Sequence, residues 1–164
     1  VAVGLLLFLL VRDIKVLKLS SVNLFTGELG TGKSALSLNR AILQYRINLS
    51  KFYVIYFIDL CAYIFSKTQN ISIEERPLLY SNIPLKDTKF LPLTNDILLR
   101  RERINNKSVV FIDEISLVVD NMDYRDQDIN ESLKMFIKLF RHYSHGGSLF
   151  INTQNIQDNH YIIK

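Results

Sequence analysis

The spacing of apolar positions changes several times along the chain, and each change predicts an element. Val22-Asn23-Leu24-Phe25-Thr26 is a short β-prone run that ends at a glycine-rich stretch, and from Ser34 onward Ala35, Leu38, Ile42 and Tyr45 recur at helical spacing. The prediction is strand, loop, helix. Residues 52–65 are apolar except for Asp59, and fourteen residues fall short of the roughly 20 that a bilayer-crossing helix needs. This stretch predicts a buried helix or a dimerisation face. Residues 78–83 predict a strand closed by Pro84, because proline cannot donate to a sheet ladder, and proline-flanked turns are expected around Pro84 and Pro92.

Ser108-Val109-Val110-Phe111-Ile112-Asp113 is continuously apolar rather than alternating, as a central parallel strand buried on both faces should be. Helices must then cover both faces. From Asp128 the pattern turns helical: Ile129, Leu133, Phe136, Ile137 and Phe140 form one stripe, with Lys134, Lys138 and Arg141 off it. Asp128 and Glu131 give this helix a start that resembles a capping box, Gly146-Gly147 ends it, and residues 148–153 predict another buried strand. The alternation of strands and helices predicts an α/β fold, a three-layer α/β/α sandwich with a mostly parallel sheet.

Composition changes this picture little. With 164 residues and 48% apolar content, the chain can bury one domain core. Twenty Lys and Arg against 16 Asp and Glu leave a net charge of +4, with no long run of one sign, so charge selects no partner. Cys61 is the sole cysteine and sits in an apolar run, where it predicts a small buried hydrophobe and a reducing compartment. Residues 1–11 form an apolar run followed by Arg12, Lys15 and Lys18. Two readings stand for it: a truncated membrane segment with a cytoplasmic basic flank, or a buried element.

Gly27-Glu28-Leu29-Gly30-Thr31-Gly32-Lys33-Ser34 matches G-x-x-x-x-G-K-[ST] and lies between the first predicted strand and helix, the context this pattern requires. Glycines let the backbone curl so that successive N–H groups converge on phosphate oxygens, aided by the positive end of the following helix. These residues, with Ala35, are the expected cradle for ATP: Lys33 reaches the β- and γ-phosphates, and the Ser34 hydroxyl ligates Mg2+. The absence of a guanine-reading motif favours ATP over GTP. Asp113 ends an apolar strand at the sheet's carboxyl edge, where ligands bind in open α/β sheets, and is the expected second magnesium ligand. Glu114 follows as the candidate general base that polarises water for attack on the γ-phosphate. The expected organisation is an apolar segment with a basic flank over residues 1–20, then a P-loop NTPase domain over 21–164 that continues beyond Lys164.

Thr153 and Gln154 end the last strand, and a neutral amide there can hold the attacking water or sense the γ-phosphate; a plain polar strand end is the other reading. Arg141, beside His142, is a candidate arginine finger for a neighbouring subunit's site, with Arg100, Arg101 and Arg103 as rivals and a solvated face as the alternative. Asp120, Asp123, Asp126 and Asp128 crowd one stretch but lack the central glycine and closing glutamate of a calcium loop. His142, His145 and His160 lack cysteines at zinc-like spacing, so no metal beyond nucleotide magnesium is expected.

Taken in order, these pieces resemble the zonular occludens toxin family, which includes the assembly ATPases of filamentous phages and lies near the FtsK/HerA-type translocases. The resemblance covers roughly residues 22–157. It rests on the phosphate-loop motif, on Tyr80-Ser81-Asn82-Ile83-Pro84-Leu85, on Val109-Val110-Phe111-Ile112-Asp113-Glu114, and on Phe140-Arg141-His142-Tyr143-Ser144-His145-Gly146-Gly147 running into Ile151-Asn152-Thr153-Gln154. The resemblance implies an inner-membrane ATPase that extrudes a single-stranded DNA phage through the host envelope. It further implies Gln154 as γ-phosphate sensor and a ring-shaped homo-oligomer, expected to be a hexamer, with sites at subunit interfaces. The implied partners are other copies, phage coat proteins or single-stranded DNA, and the host inner membrane, with the ATPase domain facing the cytoplasm. Two features depart from the family: the lengthened region at 52–65, and an apolar segment placed before the ATPase domain rather than after it. The alternatives are a DNA translocase or conjugative ATPase of the FtsK/HerA type, and a nucleotide-gated membrane scaffold without turnover, against which Glu114 argues.

Overall fold

The computed structural model describes residues 21–27, 31–66, 75–115 and 127–153. Strand β1 (Val22–Thr26) leads to helix α1 (Lys33–Ser66), followed by β2 (Leu79–Ser81) and the two-residue β3 (Leu91–Pro92). The single turn α2 (Asn95–Leu98), β4 (Val109–Ile112), α3 (Gln127–Tyr143) and β5 (Ser148–Thr153) complete the order. The five strands form one sheet, β1-β5-β4-β2-β3, and every pairing is parallel. The last of the described strands, β5, therefore lies between β1 and β4.

The inner strands β4 and β5 are buried along their whole length, as the unbroken apolar run of β4 and the Leu149-Phe150-Ile151 centre of β5 require. Alternation of side chains across the sheet divides the core in two. On one face Leu79, Val109, Phe111 and Phe150 pack against Ala41 and Tyr45 of α1. On the other, Tyr80, Val110, Ile112, Leu149 and Ile151 pack against Leu133, Phe136, Ile137 and Phe140 of α3. A helix thus covers each face of an all-parallel sheet, and the fold is α/β. Leu133, Phe136, Ile137 and Phe140 of the α3 stripe are buried as their spacing predicts, while Lys138 and Arg141 face out. The side chain of Asp128, and with it the expected capping contact, lies outside the described residues.

The turn from α3 into β5 depends on Gly147. A Cβ there would lie 2.2 Å from the Ser108 carbonyl oxygen and 2.7 Å from Ser144 Cβ. That Ser108 oxygen accepts from the Ser148 N–H at 3.1 Å, so the crowding falls on the first rung joining β4 to β5. Gly147→Ala is therefore expected to destabilise the fold by about 1–3 kcal/mol, the usual range for overpacking. Urea unfolding checks this, and an unchanged midpoint and slope would contradict the close approach.

Three expectations are corrected. Pro92 belongs to β3 rather than to a turn: β3 is the sheet's outer strand, where a missing N–H removes no rung from an interior ladder. Residues 52–65 are not a buried helix, and Cys61 within them is partly exposed rather than the buried hydrophobe expected. They are the distal part of α1, which runs unbroken for 34 residues because no glycine or proline interrupts it between Lys33 and Ser66. Its first half buries Ser37, Ala41, Tyr45, Ile47 and Asn48. There Asn48 Nδ2 donates to the Lys107 carbonyl at 2.7 Å, just ahead of β4, and beyond this point no residue from 51 to 65 is buried. By length and composition alone Lys33–Phe65 could cross a membrane, but the packed first half ties it to the sheet. Residues 1–20 lie outside the described residues.

Candidate functional site

Parallel strands all end on one edge, and the chemistry-bearing residues gather there. In sheet order, β1, β5, β4 and β2 are closed by Gly27, Thr153, Asp113 and Asn82. Helix α1 begins at the same edge. Gly32 takes φ 74°, a left-handed conformation that a side chain would disfavour, and its carbonyl accepts the Leu36 N–H at 3.0 Å. The N–H groups of a first helical turn have no partner within the helix and carry the positive end of its dipole, so such a turn can hold phosphate oxygens. No acidic side chain in that first turn opposes an anion.

Lys33 Nζ donates to the carbonyls of Gly27 and Thr153, the latter at 2.9 Å, so its ammonium lies across the ends of β1 and β5. Ser34 Oγ donates to Asp113 Oδ1 at 3.0 Å, a contact between residues 79 apart in sequence. The same carboxylate oxygen accepts from Asn152 Nδ2 at 2.7 Å. Asn82 grips the main chain of Asp113 from the other side: its Oδ1 accepts the Asp113 N–H and its Nδ2 donates to the Asp113 carbonyl, each at 2.8 Å. This side-chain amide prolongs the β2–β4 ladder beyond its last pair, Ser81 with Phe111. Asn152 is fully buried, and its Oδ1 has no partner among the described residues.

Directly after Asp113, Glu114 adopts φ 50°. The left-handed region costs a non-glycine residue about 1–3 kcal/mol and persists only where the surroundings impose it, a pattern concentrated at functional sites. Asn82 fixes both polar groups of the residue just before this turn.

A hydroxyl and a single carboxylate in contact are hard oxygen donors of the kind that suit Mg2+, whose remaining positions go to phosphate oxygens and water. No group of three His, Cys, Asp or Glu side chains gathers among the described residues, so no protein-only cage for a transition metal is built in them. The residues present fit a magnesium nucleotide.

The structure brings Gly27, Thr31, Gly32, Lys33, Ser34, Ala35, Asp113 and Glu114 to this one edge. Glu28, Leu29, Gly30 and Gln154 lie outside the described residues, as do Asp120, Asp123 and Asp126. Arg141 is at the opposite edge: the end of α3 is tied to the start of β4 by the Lys107 N–H donating to the Ser144 carbonyl at 2.7 Å. A six-residue strand such as β5 separates the two edges by about 20 Å, so Arg141 does not reach the phosphate edge of its own chain. Arg100 hydrogen-bonds the Tyr143 hydroxyl, also by that far end of α3, while Arg101 and Arg103 form exposed ion pairs with Asp96 and Glu75. Asn82 and Asn152 are the site residues the sequence reading passed over. Their signal is an amide at or beside the carboxyl end of a strand with an apolar centre. No family model, curated protein or solved structure matches the chain.

Proposed function

We propose that the chain is a P-loop NTPase that binds ATP with Mg2+ and hydrolyses it, its sheet and helices being the P-loop form of the three-layer sandwich. The observation that carries this is the 3.0 Å contact between Ser34 Oγ and Asp113 Oδ1. It sets the last residue of the phosphate-loop motif and the acidic end of a central strand at the separation from which two groups share one cation. Lys33, lying on two neutral carbonyls, gains from exchanging them for phosphate oxygens, since charge-assisted hydrogen bonds are roughly twice as strong as neutral ones. Ser34 and Asp113 hold the magnesium, and Asn82 and Asn152 hold Asp113 in place. Magnesium, when bound, neutralises charge developing on the β- and γ-phosphate oxygens. Glu114 accepts the proton of the attacking water, and Gln154, next after β5, senses the γ-phosphate. Arg141 serves another copy's site, since its own lies across the sheet.

The proposed biological role is a motor for assembly and export of a filamentous single-stranded DNA phage, acting as a ring-shaped homo-oligomer at the host inner membrane with the ATPase domain in the cytoplasm. It rests on the resemblance carried by residues 140–147 and 151–154. The test is ATP turnover by the full chain with magnesium or with EDTA, and with single- or double-stranded DNA. Hydrolysis that EDTA abolishes and excess magnesium restores is expected. Stimulation by double-stranded DNA would move the role to a translocase, binding without turnover would make the protein a scaffold, and failure to bind nucleotide would reject the reading.

A further inference from the structure

Beyond the sheet edge marked by Asn48, α1 continues through residues 51–65 with no buried residue, and at 1.5 Å per residue this part extends about 22 Å. Tyr53, Tyr56, Phe57, Ile58, Tyr63, Ile64 and Phe65 are between 48% and 84% exposed. A fully buried aromatic removes roughly 150–250 Å² from water, so these half-exposed side chains leave on the order of 800 Å², about what each partner contributes to a standard interface. Soluble monomers rarely carry an apolar patch of that size.

Three features select what covers it. First, Tyr53, Phe57, Leu60 and Ile64 follow one another at spacings of 4, 3 and 4, the repeat that keeps a seam facing a partner helix in knobs-into-holes packing. Asp59, the sole charged residue between 52 and 65, falls off that seam, on the far side of the helix from Phe57 and Ile64. Second, the segment ends in polar chain: Lys67, Gln69 and Asn70 follow the helix, and Glu75 and Arg76 precede β2, which lies in the same sheet from which α1 departed. A helix entering lipid end-on would carry that polar return into the hydrocarbon core, at several kcal/mol per charge. Third, exposed apolar residues also flank that seam, Tyr56 and Tyr63 on one side and Ile58 and Phe65 on the other, which leaves little of the polar face that a helix lying flat on a membrane needs.

We propose that residues 51–65 of α1 pair with the same segment of a second copy of this chain. The patch is self-complementary, as a two-fold contact requires, and offers no charge pattern that would select a different partner. It projects past the edge opposite Lys33 and Asp113, so pairing leaves both strand-end sites open. The proposal does not depend on nucleotide chemistry.

Sedimentation equilibrium of the full chain tests it. Phe57→Glu combined with Ile64→Glu alters two side chains that are 65% and 62% exposed, so the monomer is expected to keep its circular dichroism spectrum. Self-association should weaken at least tenfold in this double variant and stay within twofold in Asp59→Asn. An association constant unchanged by the double substitution, or a wild-type chain that is monomeric at 100-fold dilution and at full concentration alike, overturns the proposal. So does a double variant that associates normally but no longer floats with phosphatidylcholine–phosphatidylglycerol vesicles, an outcome that assigns the patch to lipid.

Discussion

Lys33→Ala is expected to lower the affinity for magnesium ATP by about 100-fold, close to 3 kcal/mol at 1.4 kcal/mol per tenfold, while leaving the unfolding midpoint almost unchanged. The two halves of this expectation come from the same contacts. Lys33 Nζ donates to the Gly27 and Thr153 carbonyls, both at the carboxyl edge of the sheet. Water can replace an ammonium at such an edge, so little stability is lost. No water replaces a cation beside phosphate oxygens, and removing a charged hydrogen-bond partner there costs about 1.5–3 kcal/mol or more. Titration calorimetry with magnesium ATP, paired with thermal unfolding, separates the two. Affinity within threefold of wild type would show that Lys33 only clamps β1 to β5. Loss of both affinity and stability would make it a structural residue first.

How much of this arrangement the chain announces depends on whether the physics is local. The unbroken apolar runs at 109–112 and 149–151 could not belong to half-exposed strands, and the structure buries both. The α3 stripe likewise needs only its own periodicity. Residues 52–65 show the limit: a helix apolar on all sides reads the same whether the protein or something else surrounds it. What settles it is where the sheet stops, at the Asn48–Lys107 contact, and that is a tertiary fact. Pro92 misled for a similar reason, since a proline is excluded from an inner strand but tolerated at an edge, and strand order is not local. At the site, Lys33, Ser34, Asp113 and Glu114 belong to short motifs whose spacing states their chemistry. Asn82 and Asn152 meet Asp113 only because β2, β4 and β5 align in one register, Ser81 with Phe111 and Ile112 with Ile151. No window along the sequence contains that alignment.

That register leads to the second large effect. Glu114→Gln is expected to reduce kcat by about 10²–10⁴, the contribution typical of a positioned general base, while magnesium ATP affinity stays within a few-fold. Glutamine keeps the size and polarity of the side chain and leaves Lys33, Ser34 and Asp113 untouched, so only proton acceptance is removed. Under single-turnover conditions the loss should appear in the chemical step rather than in binding. The companion variant Asn82→Ala distinguishes a base from a bystander. It frees the Asp113 N–H and carbonyl that Asn82 now grips, and with the strand end loosened Glu114, at φ 50°, is expected to shift toward ordinary backbone. Turnover should then fall by roughly tenfold with KM little changed, and combining both substitutions should cost no more than Glu114→Gln alone, because a carboxylate that is absent cannot be mispositioned. If instead the two losses multiply, Asn82 acts through Asp113 and the metal, and the role of base passes to another group. If Glu114→Gln turns over ATP at the wild-type rate, the left-handed turn after Asp113 serves the shape of the strand end and the attacking water is activated elsewhere.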